Sequence, residues 1–378
     1  VGVTFRLDVG VDRGVGSLPV MVRSGCGRDP PRAAPGAAKA KTSESKGQTV
    51  KDNPWAEILA PYKKADDRRA TVQLLNTAVP FFALWYLMAK SLEVSYVLTL
   101  LLALPTGCFL IRLFILQHDC GHGSFFTSRR ANNSLGFLLG VLTLTPYQYW
   151  RRTHAIHHAT AGNLDRRELG DIETMTVEEY LASSRWRRLG YRIYRNPLVL
   201  LFVGPAYQFV LKHRLPFDAP RAWRREWASV MWTNLGIAAI VVAMSLSMGL
   251  IPFLKVHLPV VLISGAIGVW LFYVQHQFED TYWEHVPEWD LTQASLAGSS
   301  LYDLPAVVHW LTGNIGYHHI HHLSSKIPNY RLRRCMAEVP ELGQVTRIRF
   351  WQSLSCLGLK LWDEEQRKLV GFSHLRTW

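Results

Sequence analysis

Four stretches of this chain are apolar over roughly the length needed to cross ~30 Å of hydrocarbon. They come in two close pairs: Val72 to Met88 with Tyr96 to Leu116, and Val230 to Ile251 with Leu258 to Val274. Inside a bilayer every backbone polar group must find a partner within the protein, which leaves helices as the form for such segments. The expected fold is therefore an all-α integral membrane protein with four transmembrane helices in two hairpins. The connections within the pairs are short, with Lys90 and Glu93 in the first and Lys255 in the second. Arg112, near the end of the second stretch, is expected to snorkel to the headgroups. Two further apolar patches, Leu135 to Pro146 and Leu198 to Val210, are too short to span and read as interfacial or re-entrant helices. Hydrophobic residues make up 48% of the chain and charged residues 19%, so a membrane part and an aqueous part are expected together.

Charge orients the spans. The long segment between the two pairs carries Arg129, Arg130, Arg151, Arg152, Arg166, Arg167, Arg185, Arg187 and Arg188. The positive-inside rule then places that segment and both termini in the cytoplasm. The net charge of +13 suits anionic lipid headgroups or an acidic protein partner, and the apolar runs argue against nucleic acid. Residues 1–50, rich in Gly, Pro, Ala, Ser, Lys and Arg, read as a disordered N-terminal extension. The stretch from Gly14 to Val22 is too short and too weakly apolar for a signal peptide. Residues 51–378 form the membrane domain, which Trp55, Ile58, Leu59 and Tyr62 introduce as an interfacial amphipathic turn. The five cysteines include no CxxC pair, so neither a disulfide framework nor a cysteine-rich zinc site is expected.

Histidine carries the chemistry. Three runs stand out: His118-Asp119-Cys120-Gly121-His122, His154-Ala155-Ile156-His157-His158, and His318-His319-Ile320-His321-His322. On a helix, positions i, i+3 and i+4 share a face, so each run can aim two or three imidazoles at one point. The first run ends the second span and the next lies in the loop that follows it. Two more spans return the chain to the same side before the third run, and His276 ends the last of those spans. An even span count thus brings all of them to one face of the membrane. Imidazole suits iron, zinc, copper and nickel. A zinc site takes three or four protein ligands, so eight or nine histidines argue for two metal ions. Two irons beside a membrane suggest oxygen activation against an apolar chain, with a zinc hydrolase or a metal carrier as rival readings. Asp119 is a candidate to orient a metal-bound histidine. His213, His257, His285, His309 and His374 read as bystanders.

These runs resemble the three histidine boxes of membrane fatty-acid desaturases. The similarity covers the chain from about Pro54 onward. It is densest in His118 to Phe126, Trp150 to Arg167 and Gly313 to Leu332, where it looks closest to bacterial and plastid ω-6 (Δ12-type) acyl-lipid desaturases. The resemblance implies a cytoplasmic helical cap holding a di-iron site, with His118, His122, His154, His157, His158, His276, His318, His321 and His322 as ligands. It leaves His319 outside the set and makes Asn314 a candidate to hold a metal-bound water. Phe272 stands where acyl-CoA relatives carry an asparagine, so the surroundings of the second iron are expected to differ. The implied reaction is O2-dependent insertion of a cis double bond into an acyl chain on membrane lipid. It takes place in a bacterial inner membrane with the active site cytoplasmic. The alternative on the same scaffold is a hydroxylase or ketolase acting on a carotenoid or another lipid. No HPGG haem motif occurs, so the implied electron donor is a separate ferredoxin or cytochrome b5. Tyr147, Tyr149, Trp150, Phe278, Tyr282 and Trp283 are candidates for the walls of an acyl tunnel, or for an interfacial aromatic belt.

Overall fold

The computed structural model describes residues 54–167 and 170–376. The N-terminal extension expected over residues 1–50 lies outside them. Four long helices carry the apolar stretches: α1 (Asp67–Ser91), α2 (Tyr96–His122), and, after the intervening segment, α3 (Arg224–Met248) and α4 (Leu250–His276). Among the described residues these four alone are long and apolar enough to cross a membrane. α1 and α2 exceed their apolar stretches, because polar end residues continue the helical ladder past the hydrophobic window, whereas α3 stops at Met248 and α4 takes up the residues from Leu250 on. Asp66 caps α1 by accepting from the Arg69 backbone N–H at 3.1 Å, and Ser95 caps α2 through Val97 at 3.2 Å.

Two expectations about the long helices change. The break between the last two spans is not at Lys255. It is Gly249, at φ 89°, and α4 then runs unbroken through Lys255. Two polar residues lower local hydropathy without interrupting backbone hydrogen bonds, whereas a positive φ ends the helix and favours glycine. Arg112 does not snorkel. It is 2% exposed, its Nε donates to Thr77 Oγ1 on α1 at 2.9 Å, and its guanidinium lies 4.0 Å from the Trp310 ring centre. Packing between helices, not reach to the headgroups, decides its place.

α1 packs on α2, α2 on α4, and α3 on α4. More than half of the apolar window of α2 is buried (56%), against 17% for α3, so α2 is central and α3 peripheral. α3 shows Trp232, Leu235, Val242 and Leu246 outward, and α1 shows Val72, Leu75, Val79 and Phe82, as surfaces facing lipid tails do. Between the pairs lie Arg129–Leu142 and Tyr147–Thr160, both helical, then the short basic helix Arg185–Tyr194. The apolar patch around residues 198–210 forms two π-helical pieces, Val199–Val203 and Ala206–Leu211, with Leu198, Phe202, Val203 and Leu211 exposed.

The chain is mostly helical, not all-α. Among the described residues, five strands of two or three residues form two small sheets: β1 (Met175–Thr176), β4 (Leu361–Asp363) and β5 (Lys368–Val370), and β2 (Leu301–Asp303) with β3 (Arg347–Arg349). Strands this short leave no readable alternation in sequence. Their use is positional: β1 pairs in parallel with β4 and β2 with β3, so the C-terminal segment is laced to the two loops that follow the histidine-bearing helices.

Close approach of α2 and α4 depends on Gly107, where an added Cβ would lie 2.7 Å from Ile263 Cγ2. Gly107→Val should therefore destabilise the protein by about 1–3 kcal/mol, the usual cost of overpacking. The check is a lowered thermal midpoint for the detergent-solubilised protein.

Candidate metal centre

Four helices deliver nine imidazoles. His118 and His122, one turn apart, occupy the last turns of α2, and His276 is the last residue of α4. His154, His157 and His158 lie on Tyr147–Thr160, and His318, His321 and His322 on the six-residue helix His318–Leu323. They gather in two groups, and within each group the candidate ligand atoms lie within 4.8 Å of one another. One holds His118, His122, His154, His158 and His321; the other holds His157, His276, His318 and His322. Neighbours in sequence thus part company: His157 leaves His154 and His158, and His321 leaves His318 and His322. His319 is buried but belongs to neither group.

The nitrogens face each other. His276 Nε2 lies 2.9 Å from His318 Nε2, which is 3.1 Å from His322 Nε2, in turn 3.2 Å from His157 Nε2. In the first group His158 Nε2 lies 3.1 Å from His154 Nε2 and 2.9 Å from His321 Nε2. Burial, reinforced by neighbouring histidines, holds His154, His157, His158, His318, His321 and His322 well below the ordinary imidazole range. They are neutral at pH 7, so each ring keeps one nitrogen lone pair. His276 donates Nδ1–H to the Gly298 carbonyl at 3.0 Å, which leaves its Nε2 an acceptor pointed at the group. His122 Nε2 is buried without a hydrogen-bond partner. Converging lone pairs and an orphaned ring nitrogen are what cations would satisfy, so the residues fit two metal ions.

The rings are held from behind. Asp119 Oδ1 is 3.1 Å from His118 Nδ1, while its Oδ2 accepts from the backbone and side-chain nitrogens of Asn329 at 2.6 and 2.8 Å. Gln73 on α1 extends the chain by donating to Asn329 Oδ1 at 2.6 Å. Asp171 Oδ1 is 2.5 Å from His157 Nδ1, and burial pushes this carboxyl up to about 7. Gly170, at φ 91°, allows the approach, since a Cβ there would lie 2.9 Å from the Thr153 carbonyl and 2.8 Å from His157 Cβ. Asn314 has φ 57° and donates its amide to the Asn329 carbonyl at 3.3 Å.

Sequence reasoning missed Asp171, Gly298, Asn329 and Gln73. Asp171 follows His157 by 14 residues through a loop, outside any helical period. The only trace in sequence is a glycine before an acid, which is weak. Of the six aromatics, Trp150 stacks on His154 at 4.5 Å, and Tyr282 and Trp283 line a small pocket with Phe272, Asp171 and His276. Phe272 itself packs on His157 and His276, at 5.0 and 5.1 Å between ring centres. Tyr147 and Tyr149 donate to the Cys120 carbonyl and to Asp218, and Phe278 is buried in the core. His213, His257, His285, His309 and His374 stand outside both groups.

Comparison with known proteins agrees with this geometry. The family model described as fatty acid desaturase matches residues 94–353. A fatty acid desaturase of Bacillus subtilis is 48% identical over 331 residues, covering 87% of this chain and 94% of that protein. Two Synechocystis proteins are each 28% identical. One is an sn-1 acyl-lipid omega-3 desaturase (ferredoxin), covering 78% of this chain and 88% of its own. The other is an sn-1 oleoyl-lipid 12-desaturase, covering 74% and 77%.

Asp171→Ala should weaken metal binding by about 10–100-fold, the usual cost of removing a partner behind a ligand histidine; competition against a graded chelator measures it. Stability should also depend on pH with a definite sign. The six histidines outside the spans are depressed on folding from an ordinary value of 6.5. Below that value the unfolded chain binds more protons than the folded one, so stability is lost as pH falls. Thermal scans of metal-stripped protein should show the midpoint dropping between about pH 7 and 5, and a flat profile would contradict buried neutral rings.

Proposed function

Because this chain is a member of the fatty acid desaturase family, we propose that it inserts a cis double bond at the Δ12 (ω-6) position of an acyl chain on membrane lipid. The observation that carries the reading is the pair of histidine groups at the ends of apolar helices: nitrogen-rich sites for two metals beside a surface made for acyl tails. The proposed ligands are His118, His122, His154, His158 and His321 for one iron and His157, His276, His318 and His322 for the other. Bound iron would supply the oxidising power, drawn from O2, that removal of hydrogen from an unactivated CH2 requires and that side chains alone lack. The electron count closes with an external donor. O2 takes four electrons and four protons to two waters; the C–C unit gives two of each on becoming C=C, and the donor's two electrons are matched by two protons from solvent.

The chain's own residues have separate tasks. Asp119, Asp171 and the Gly298 carbonyl accept from the Nδ1 atoms of His118, His157 and His276 and so orient their Nε2 atoms. Trp150 and Phe272 cover the two groups with apolar rings and exclude water. Asn314 would hold a water bound to the metal, and Tyr282 and Trp283 wall the approach to the second group. The spans form two hairpins within a domain of residues 51–378. The cap and both termini are cytoplasmic in a bacterial inner membrane, as the arginine-rich segment between the pairs supports. Ferredoxin is the proposed donor, by analogy with the relative whose name includes it.

Expression with a ferredoxin system, in a host that makes only saturated and monounsaturated acyl chains, tests this by gas chromatography–mass spectrometry of fatty acid methyl esters. The expected product is a diene with its new double bond at Δ12, reduced to background by His157→Ala. A double bond at the ω-3 position would overturn the regiochemistry, and a hydroxylated product would move the chain to the hydroxylase reading.

A further inference from the structure

Arg195 is a buried charge that the proposed reaction does not use. It follows the basic helix Arg185–Tyr194, is fully buried, and lies outside both histidine groups. Its guanidinium is shared between three segments. Nη1 donates to the Glu173 carbonyl at 3.0 Å and to Thr174 Oγ1 at 3.3 Å, on the stretch that begins with Asp171. Nη2 donates to Gln277 Oε1 at 2.8 Å and to Tyr273 OH at 3.4 Å, the residue after His276 and the residue one turn before it. Nη2 also reaches the Leu359 carbonyl at 3.1 Å, next to β4, while the Arg195 carbonyl accepts from Lys360 Nζ at 2.7 Å. Tyr273 OH itself donates to the carbonyls of Cys356 and Leu359, and Thr174 Oγ1 makes a second contact to Gln277 Oε1 at 3.3 Å.

Asp171 holds His157 and the end of α4 holds His276, and both histidines belong to the same group. One planar fork therefore ties together the Asp171 loop and the end of α4, which position two of that group's four imidazoles. The other group has its own brace through Asp119, Asn329 and Gln73, which Arg195 does not touch. We propose that Arg195 is a positioning residue for the site formed by His157, His276, His318 and His322: it fixes the Asp171 loop against the end of α4 so that both imidazoles meet one metal ion. The proposal rests on the reading of the two groups as iron sites. Guanidinium is suited to the task because its donors lie in a rigid plane, whereas the ammonium of lysine is a single point on a flexible stem.

The test uses the full chain, expressed with iron and purified in lipid nanodiscs. Iron per chain is measured by plasma mass spectrometry and the two iron environments by Mössbauer spectroscopy. Wild type should hold two irons. Arg195→Met should hold about one, with one Mössbauer component lost and the other unchanged, and Arg195→Lys should recover the lost component only in part. Gln277→Leu keeps the arginine in place but removes the shorter of its two links to the end of α4, so it guards against a misfolded arginine variant; it should weaken the same component. Two irons and a wild-type spectrum in Arg195→Met, or in Gln277→Leu should the arginine variant not fold, would overturn the positioning role and leave the metal reading intact. Equal loss of both components in a folded variant would make Arg195 a general structural brace and overturn the proposal as well. Wild type without iron would sink the metal reading, and the positioning role with it.

Discussion

Neutral imidazoles packed nitrogen to nitrogen are the constraint to which the rest of this structure answers. Several Nε2 atoms stand 2.9–3.2 Å apart, away from water, on helices that approach from different directions. Burying a polar nitrogen without a partner costs about 1–3 kcal/mol, and these groups bring many such nitrogens together. The arrangement is tolerable where each ring has one nitrogen committed to a fixed acceptor and the other committed to a cation. That requirement explains why an aspartate or a backbone carbonyl stands behind His118, His157 and His276.

Those acceptors in turn need support, and much of the aqueous part of the chain supplies it. Asp119 is locked by Asn329, which follows the third histidine run, and Asn329 is reached by Gln73 from α1. The first and third runs are therefore tied to the first apolar helix through one buried polar chain. Asp171 lies in the loop before β1, and β1 is held by β4 from the C-terminal segment. Gly298 lies just before β2, and β2 is held by β3 from that same segment. The two small sheets add little area of their own. They connect the far end of the chain to the loops that carry the acceptors, and so convert separate helix ends into one rigid site.

The two groups are not equivalent. The first has five histidines and rests on an aspartate next to its own His118 in sequence. The second has four, rests on a distant aspartate and a carbonyl, and is covered by Phe272. A fully buried arginine, Arg195, stands behind the second alone, held by carbonyls, hydroxyls and an amide. Burial of a charge is costly unless it is well hydrogen-bonded, and here the bonds converge on the segment after Asp171, the end of α4 and the residue before β4. A second buried arginine, Arg112, joins α2 to α1 through Thr77 and to the short helix Ala306–Leu311 before the third run through Trp310.

Much of this was legible in the residues alone. Apolar length gave four spans, because hydrocarbon thickness imposes a minimum that few other structures meet. Helical spacing put the histidines of each run on a shared face, and the span count brought the runs to one side, both being local or additive properties of the chain. What helical spacing cannot say is which of two nearby points a given side chain meets. That depends on how the helices cross, and so the split of His157 from His154 and His158, and of His321 from His318 and His322, was decided by tertiary structure. The same is true of Asp171, Gly298 and Arg195, whose partners are joined to them through loops that carry no period. Arg112 shows the reverse side of this: its sequence position fits snorkelling, and only the packed neighbours Thr77 and Trp310 turn it inward. Local patterns follow from bonds made within a few residues, whereas the aim of a buried side chain follows from the bodies packed around it.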